Sequence, residues 1–173
     1  MGLGLDGKGA LVTGGGSGIG FGCARRLAAE GAVVTICGRS QERLEAAVAE
    51  IDGDVRAVTC DVTDEDQVKA TVGAAAEPTG SLDVVVASAG GSSTIGPITQ
   101  VDTQAFRDTM DLNVVGTFLA LKHAAPVMIR GGGGSFIGIS SIAGSTTHRW
   151  FGAYGPSKAG IEALIQMGAD DLE

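Results

Sequence analysis

Five short apolar runs punctuate the chain, at 9–13, 33–37, 55–60, 82–87 and 135–140, and between them apolar residues recur every three or four positions. The runs are strand-length, and the fourth is almost continuously apolar, as expected of a strand buried on both faces. After the first run, Ile19, Cys23, Leu27 and Ala28 share a helical face, and Gly31 is placed to stop that helix. Ser40 is a candidate N-cap for a helix with Leu44, Ala47, Val48 and Ile51 as its stripe. Thr63 is placed to cap a third helix, whose first turn holds Asp64, Glu65 and Asp66 at the positive end of the dipole; Pro78 and Gly80 break it. The pattern predicts one long helix over 103–129, bent or ended early by Pro126. Residues 141–153 read as an irregular loop, and Pro156 suits the first turn of a last helix carrying Ile161, Leu164, Ile165 and Met167.

Strand–helix alternation at this pitch predicts right-handed βαβ units, hence an α/β, doubly wound parallel sheet between two helical layers. No repeat or linker divides residues 1–173, so one domain is expected. Ligands of such sheets bind at the carboxyl ends of the strands, near the switch in strand order. The last helical pattern is followed by no further strand, so the sequence predicts a domain that is C-terminally incomplete, with its fifth strand left as an edge.

Composition narrows the function. With 44% hydrophobic and 18% charged residues, the 173-residue chain has material for a sizeable core. Its net charge is −8 and no basic cluster exceeds Arg25-Arg26, which argues against nucleic acid and against an anionic membrane as partners. No run of about 18 apolar residues is present, so no bilayer-spanning segment is expected. Three scattered cysteines and two histidines suggest neither a disulfide framework nor a metal site. The N-terminus lacks the pattern of a secretory signal. Together these predict a soluble, reduced, cytoplasmic domain.

The 29 glycines are far above average use, and their placement is the informative part. Residues 13–20 read Thr-Gly-Gly-Gly-Ser-Gly-Ile-Gly, between a strand and a helix. In that setting Gly14, Gly16, Ser17, Gly18, Ile19 and Gly20 are candidates to hold a pyrophosphate: glycines allow close approach, and the helix N-terminus offers free N–H groups. The second strand ends at Gly38-Arg39-Ser40, with no acid before Glu42. An acid there would bond a ribose 2′-hydroxyl, whereas Arg39 can pair with a 2′-phosphate, so NADP(H) is favoured over NAD(H). Asp61-Val62 follows the third strand; its carboxylate suits either an adenine amino group or a helix start. Ser88-Ala89-Gly90 ends the fourth strand in small residues, room for a flat cofactor or a simple turn.

Tyr154 and Lys158 are four residues apart, on one face of the last helix. A lysine ammonium beside a phenol stabilises the phenolate, and such a tyrosine can exchange a proton with a substrate oxygen. Ser140-Ser141 ends the fifth run, where a hydroxyl can orient a substrate carbonyl. Asn113 lies mid-helix among apolar residues and needs partners, as a structural amide or a water-holding relay. Trp150 and Phe151 could line an apolar substrate pocket or simply pack.

Taken in order, these motifs resemble the short-chain dehydrogenase/reductase family: residues 13–20 match TGxxxGIG, Asp61-Val62 the adenine-side pair, Asn113 the helix asparagine, Ser141 the strand serine, and Tyr154 with Lys158 the YxxxK pair. The resemblance implies a Rossmann fold, a nicotinamide cofactor and interconversion of a secondary alcohol and a ketone. It implies that Ser141 positions the substrate oxygen and Tyr154 is the acid/base. Lys158 would bond the nicotinamide ribose and tune Tyr154, and Asn113 would hold a relay water. A small-molecule carbonyl or alcohol substrate and a homo-oligomer, dimer or tetramer, are further expectations. Where the family usually carries Asn-Asn-Ala-Gly, this chain has Ala87-Ser88-Ala89-Gly90, so the usual amide bracing of that loop is missing. A dinucleotide sensor without turnover, or an inactive truncated relative, is the competing reading.

Overall fold

The computed structural model describes residues 2–172. Its sheet has five parallel strands in the order β3-β2-β1-β4-β5: β1 Gly9–Thr13, β2 Val33–Gly38, β3 Val55–Thr59, β4 Val84–Ala87 and β5 Ser135–Gly138. The connecting helices are α1 Gly18–Ala29, α2 Gln41–Glu50, α3 Glu65–Ala76, α4 Thr103–Met110, α5 Gly116–Arg130, α6 Ile142–Ser145 and α7 Tyr154–Asp171. This is the expected Rossmann-like arrangement, with the order reversing between β1 and β4.

Alternation along the strands builds two cores. Ala10 and Val12 of β1, with Val34, Ile36 and Val86, pack under α1 and α2 through Ala24, Ala28, Leu44 and Ala47. Leu11, Cys37 and Val85 face the other way, against Val68 and Val72 of α3 and Leu119, Ala124 and Met128 of α5. Burial on both faces is why the sequence runs read as apolar rather than alternating. At the switch in strand order, the Thr13 hydroxyl accepts from the amides of Ser88 and Ala89 at 3.1 and 3.0 Å, tying β1 to the loop after β4.

Local details differ from the sequence expectation. Asp64, not Thr63, caps α3, its carboxylate accepting from the Gln67 amide at 3.1 Å; Thr63 instead donates to Asp61. Ile19 is 63% exposed and leaves the α1 stripe, which rests on Gly20, Ala24 and Ala28. Residues 141–153 are not wholly irregular: they contain α6, capped by Ser141. β5 ends at Gly138, so Ser140 and Ser141 lie beyond the ladder. Pro126 neither ends nor interrupts α5, which runs to Arg130. Residues 103–130 are long and apolar enough, by length and composition alone, to cross a bilayer, against the expectation of no such segment. Their apolar side packs inward, with Leu119, Ala120, Ala124 and Met128 buried.

The amino end of the sheet is held by charge. The Lys8 ammonium donates to one Asp83 oxygen at 2.8 Å, and the Gly9 amide donates to the other at 2.9 Å. Burial pushes the Asp83 carboxyl up, but the Lys8, Gly9 and Ser81 hydrogen bonds together hold it below the ordinary carboxylate range. A folded-state pKa below the unfolded one stabilises the fold above the unfolded pKa, and that contribution is lost as pH falls through the folded value. Asp83→Asn is therefore expected to cost about 1–2 kcal/mol at pH 7. The gap between mutant and wild type should close below about pH 4. Denaturant melts at pH 7 and pH 3 check this; an undiminished gap in acid would contradict it.

Candidate active site

The first wall of the site is the turn from β1 into α1. Gly14 has φ +66°, and a Cβ there would come within 2.9 Å of the Ala89 backbone. Only glycine lets the two strand-end loops touch at this point. Ser17 stands at the N-cap of α1, yet its side chain makes no capping hydrogen bond, which leaves the first-turn amides for another acceptor. Gly14, Gly16 and Ser17 line a cavity of about 310 Å³ at the carboxyl ends of the strands. Gly18 and Ile19 are exposed beside it, and Gly20 is buried against Gly14.

Arg39, Asp61, Val62, Ala89 and Gly90 line the same cavity. Ser88 stands behind them, its amide on Thr13. Arg43 also lines it, and the sequence reading missed it; it sits one turn into α2, where its amide donates to the Ser40 cap at 3.4 Å. The signal was available: three residues after a cap, a side chain returns to the side of the helix start. Asp61 has one carboxylate oxygen bonded by the Thr63 amide at 3.0 Å and the Thr63 hydroxyl at 2.8 Å. It therefore closes a turn and faces the cavity at once.

The second wall is α7 and what it leans on. At 111–115 the helical rod widens into i→i+5 bonding, and Asn113 is the fully buried residue of that turn. Its Oδ1 accepts from the Gly91 amide at 2.8 Å. Its Nδ2 donates to the Gly91 carbonyl at 2.9 Å and to the Ser157 hydroxyl at 2.8 Å. The Ser157 hydroxyl donates in turn to the Tyr154 carbonyl at 2.8 Å. The Asn113 amide is thus committed to protein partners, clamping the loop after β4 to the first turn of α7.

Lys158 is 4% exposed. Its ammonium donates to the Ile139 carbonyl at 2.7 Å and lies 5.5 Å from the centroid of the Tyr154 ring. Desolvation by burial lowers its pKa. A Cβ on Gly90 would stand 2.8 Å from Asn113 Oδ1 and 3.3 Å from Lys158 Nζ, so the cavity wall, the clamp and the lysine meet at Gly90. Ser141 Oγ accepts from the Ala143 amide at 3.2 Å, which leaves its hydroxyl hydrogen for another oxygen. Tyr154 is half-buried, its ring 5.8 Å from that of Phe151. Trp150 carries φ +70°, in the left-handed region, and is 59% exposed beside them.

The family described as short chain dehydrogenase matches residues 8–173. This chain belongs to that family. It is 37% identical over 168 residues to 2,5-dichloro-2,5-cyclohexadiene-1,4-diol dehydrogenase of Sphingobium indicum, covering 96% of this chain and 67% of that protein. A solved short-chain type dehydrogenase/reductase from Mycobacterium ulcerans superposes with TM-score 0.96 at 53% identity, covering 98% of this chain and 64% of that one. NAD+-bound xylitol dehydrogenase gives TM-score 0.93 at 34% identity, over 98% of this chain and 66% of its own. The chain thus spans about two thirds of the length of these relatives.

The clamp generates a stability prediction. Asn113→Leu keeps the volume but strands both backbone groups of the half-buried Gly91 and the buried bond to Ser157. Each orphan costs about 1–3 kcal/mol, so a loss of about 3 kcal/mol or more is expected in urea unfolding. A change under about 0.5 kcal/mol, the range of an ordinary surface substitution, would show that these bonds do not hold the site.

Proposed function

We propose that this protein is an NADP(H)-dependent oxidoreductase that interconverts a secondary alcohol and a ketone. The observation that carries the reading is the meeting of two walls at Gly90: the glycine-rich turn with its arginines on one side, and Lys158 with Tyr154 on the other. The residues fit a dinucleotide. The missing Cβ at Gly14 lets the turn close on the Ala89 backbone in the cavity wall, and the first-turn amides of α1 suit a pyrophosphate. When bound, the nicotinamide supplies or accepts the hydride. The protein's own residues manage the oxygen and its proton. Ser141 donates its hydroxyl hydrogen to the substrate oxygen and orients it. Tyr154 gives that oxygen a proton in reduction and takes it back in oxidation. Lys158, anchored on Ile139, would hold the nicotinamide ribose and set the field at Tyr154. Asn113 serves as a positioning residue, fixing the start of α7 through Ser157.

Related enzymes support the reaction class: the Sphingobium relative is named for oxidising a cyclic diol, and the xylitol dehydrogenase structure holds NAD+. Preference for NADP(H) in this chain rests on Arg39 and Arg43 in the cavity wall. A homo-oligomer is supported by the exposed Phe118 and Ile129 on α5 and Met167 and Leu172 at the end of α7. A cytoplasmic setting is supported by three free thiols, Cys23, Cys37 and Cys60.

Two measurements test the reading. NADPH should bind at least about tenfold more tightly than NADH, because a charge-assisted guanidinium–phosphate pair contributes about 1.5–3 kcal/mol. Arg39→Asp should erase or invert the preference in a fluorescence titration; equal affinities in the wild type would sink the assignment. Tyr154→Phe should leave NADPH binding intact and lower reduction of cyclic ketones by about 10²–10⁴-fold. Undiminished turnover would place the acid elsewhere, and NADPH binding without turnover on any ketone would favour a sensor.

A further inference from the structure

Ser141 sits on a stretch of chain that has left the sheet. β5 ends at Gly138, and the Ile139 amide still donates to the Ala87 carbonyl at 3.1 Å. Beyond that point the bonds run to α7. The Ile139 carbonyl accepts from the Lys158 ammonium at 2.7 Å. The next residue, Ser140, donates its hydroxyl to Glu162 Oε1 at 2.6 Å, with the Lys158 carbonyl 3.2 Å from the same hydroxyl. Tyr154, Lys158 and Glu162 follow one another at four-residue spacing on α7. Consecutive residues of the β5 exit therefore dock on consecutive turns of one helix face.

The same Glu162 oxygen has a second neighbour. A Cβ on Gly144 of α6 would stand 2.9 Å from Glu162 Oε1 and 2.9 Å from the Ala159 amide nitrogen, so the backbone of α6 rests directly on α7 here. Ser141 thus lies inside a bracket: Ser140 before it is bonded to the carboxylate, and Gly144 after it packs against the same oxygen. Within the bracket, Ser141 Oγ accepts from the Ala143 amide at 3.2 Å, and the Ser141 carbonyl accepts from the Gly144 amide at 2.9 Å. Glu162 is half-buried, and 2.6 Å is the length expected of a hydroxyl donating to a carboxylate, one of the stronger side-chain hydrogen bonds.

We propose that Glu162 is a positioning residue for the reaction. Through Ser140 and the Gly144 contact it fixes the backbone on both sides of Ser141, and so sets where the Ser141 hydroxyl stands relative to Tyr154. In this role Glu162 neither binds substrate nor exchanges a proton. Without the carboxylate, Ser140 keeps only the longer contact to the Lys158 carbonyl, which already belongs to the α7 ladder. The first turn of α6 then loses its reference to the helix that carries Tyr154 and Lys158. A catalytic group displaced by about 1 Å costs up to about 100-fold in rate, so a bond one residue away from Ser141 is felt in turnover.

The inference rests on Ser141 and Tyr154 serving the substrate oxygen, and the experiment separates the two claims. Glu162→Ala, Glu162→Gln, Ser140→Ala and the Glu162→Ala/Ser140→Ala double variant of the 173-residue protein are compared with the wild type. Without ligand, hydrogen exchange read by mass spectrometry should be at least about tenfold faster in Glu162→Ala at the Ala143 and Gly144 amides, and unchanged in β1 and β4. With NADPH and a cyclic ketone, Glu162→Ala should lower kcat about 10–100-fold and leave KM for NADPH within about twofold. Glu162→Gln keeps an oxygen acceptor for Ser140 and should restore both the exchange rate and kcat. Because Glu162 acts through Ser140, the double variant should be no slower than the slower single one. Unchanged exchange at Ala143 and Gly144, faster exchange throughout the sheet, no rescue by glutamine, or effects that multiply in the double variant would each overturn the proposal. If the wild type binds NADPH and turns over no ketone, the functional reading fails, and exchange in the Glu162 variants still decides whether this carboxylate holds the Ser141 segment.

Discussion

The buried amide of Asn113 is where the molecule joins its two functional halves. One side of that amide satisfies both backbone groups of Gly91, in the loop that leaves β4; the other reaches Ser157 in the first turn of α7. A polar side chain with no exposure is stable only if every strong bond is made, and here three are. The local widening of the rod at 111–115 belongs to this arrangement, since it brings a single residue of a long helix out of the regular ladder at the point of contact. With the clamp in place, Lys158 lies close to Gly90, its ammonium on the Ile139 carbonyl and 5.5 Å from the centroid of the Tyr154 ring.

The sheet supplies the other constraint. Reversal of strand order between β1 and β4 opens a crevice, and the Thr13 hydroxyl holds the two strand ends together across it. A turn built from residues without side chains can then bring backbone amides to the floor of the crevice. Arg39 and Arg43 add positive charge at its rim, in a chain whose net charge is −8. That local reversal of sign is what a multiply charged phosphate ligand needs from an otherwise acidic protein.

Much of this was legible because it is local. The strand cores, the glycine turn, the Ser40 cap and the Tyr154–Lys158 spacing all follow from residues close in sequence. What was missed depended on distant partners or on choices between neighbours. Thr63 and Asp64 are both good caps, and the Gln67 amide selects Asp64 because Thr63 is turned toward Asp61. The four-residue helix after Ser141 is too short to carry a periodic pattern. Ile19 fits the helical stripe by spacing, but as the second residue of α1 it is exposed, and the buried face of the helix is carried by Gly20, Ala24 and Ala28. That Cys37 and Cys60 fall in the same core follows from the β2–β3 pairing, which no local motif encodes.

The central claim is that one amide couples the β4 loop to α7, and a double-mutant cycle measures that coupling directly. Asn113→Ala, Ser157→Ala and the double variant are unfolded in urea beside the wild type, and the interaction energy is taken from the four free energies. The Asn113–Ser157 bond is fully buried and continues to the Tyr154 carbonyl, so a coupling of about 1–3 kcal/mol is expected. Additive effects within about 0.3 kcal/mol would show that the two halves of the site are positioned independently, and would contradict the account.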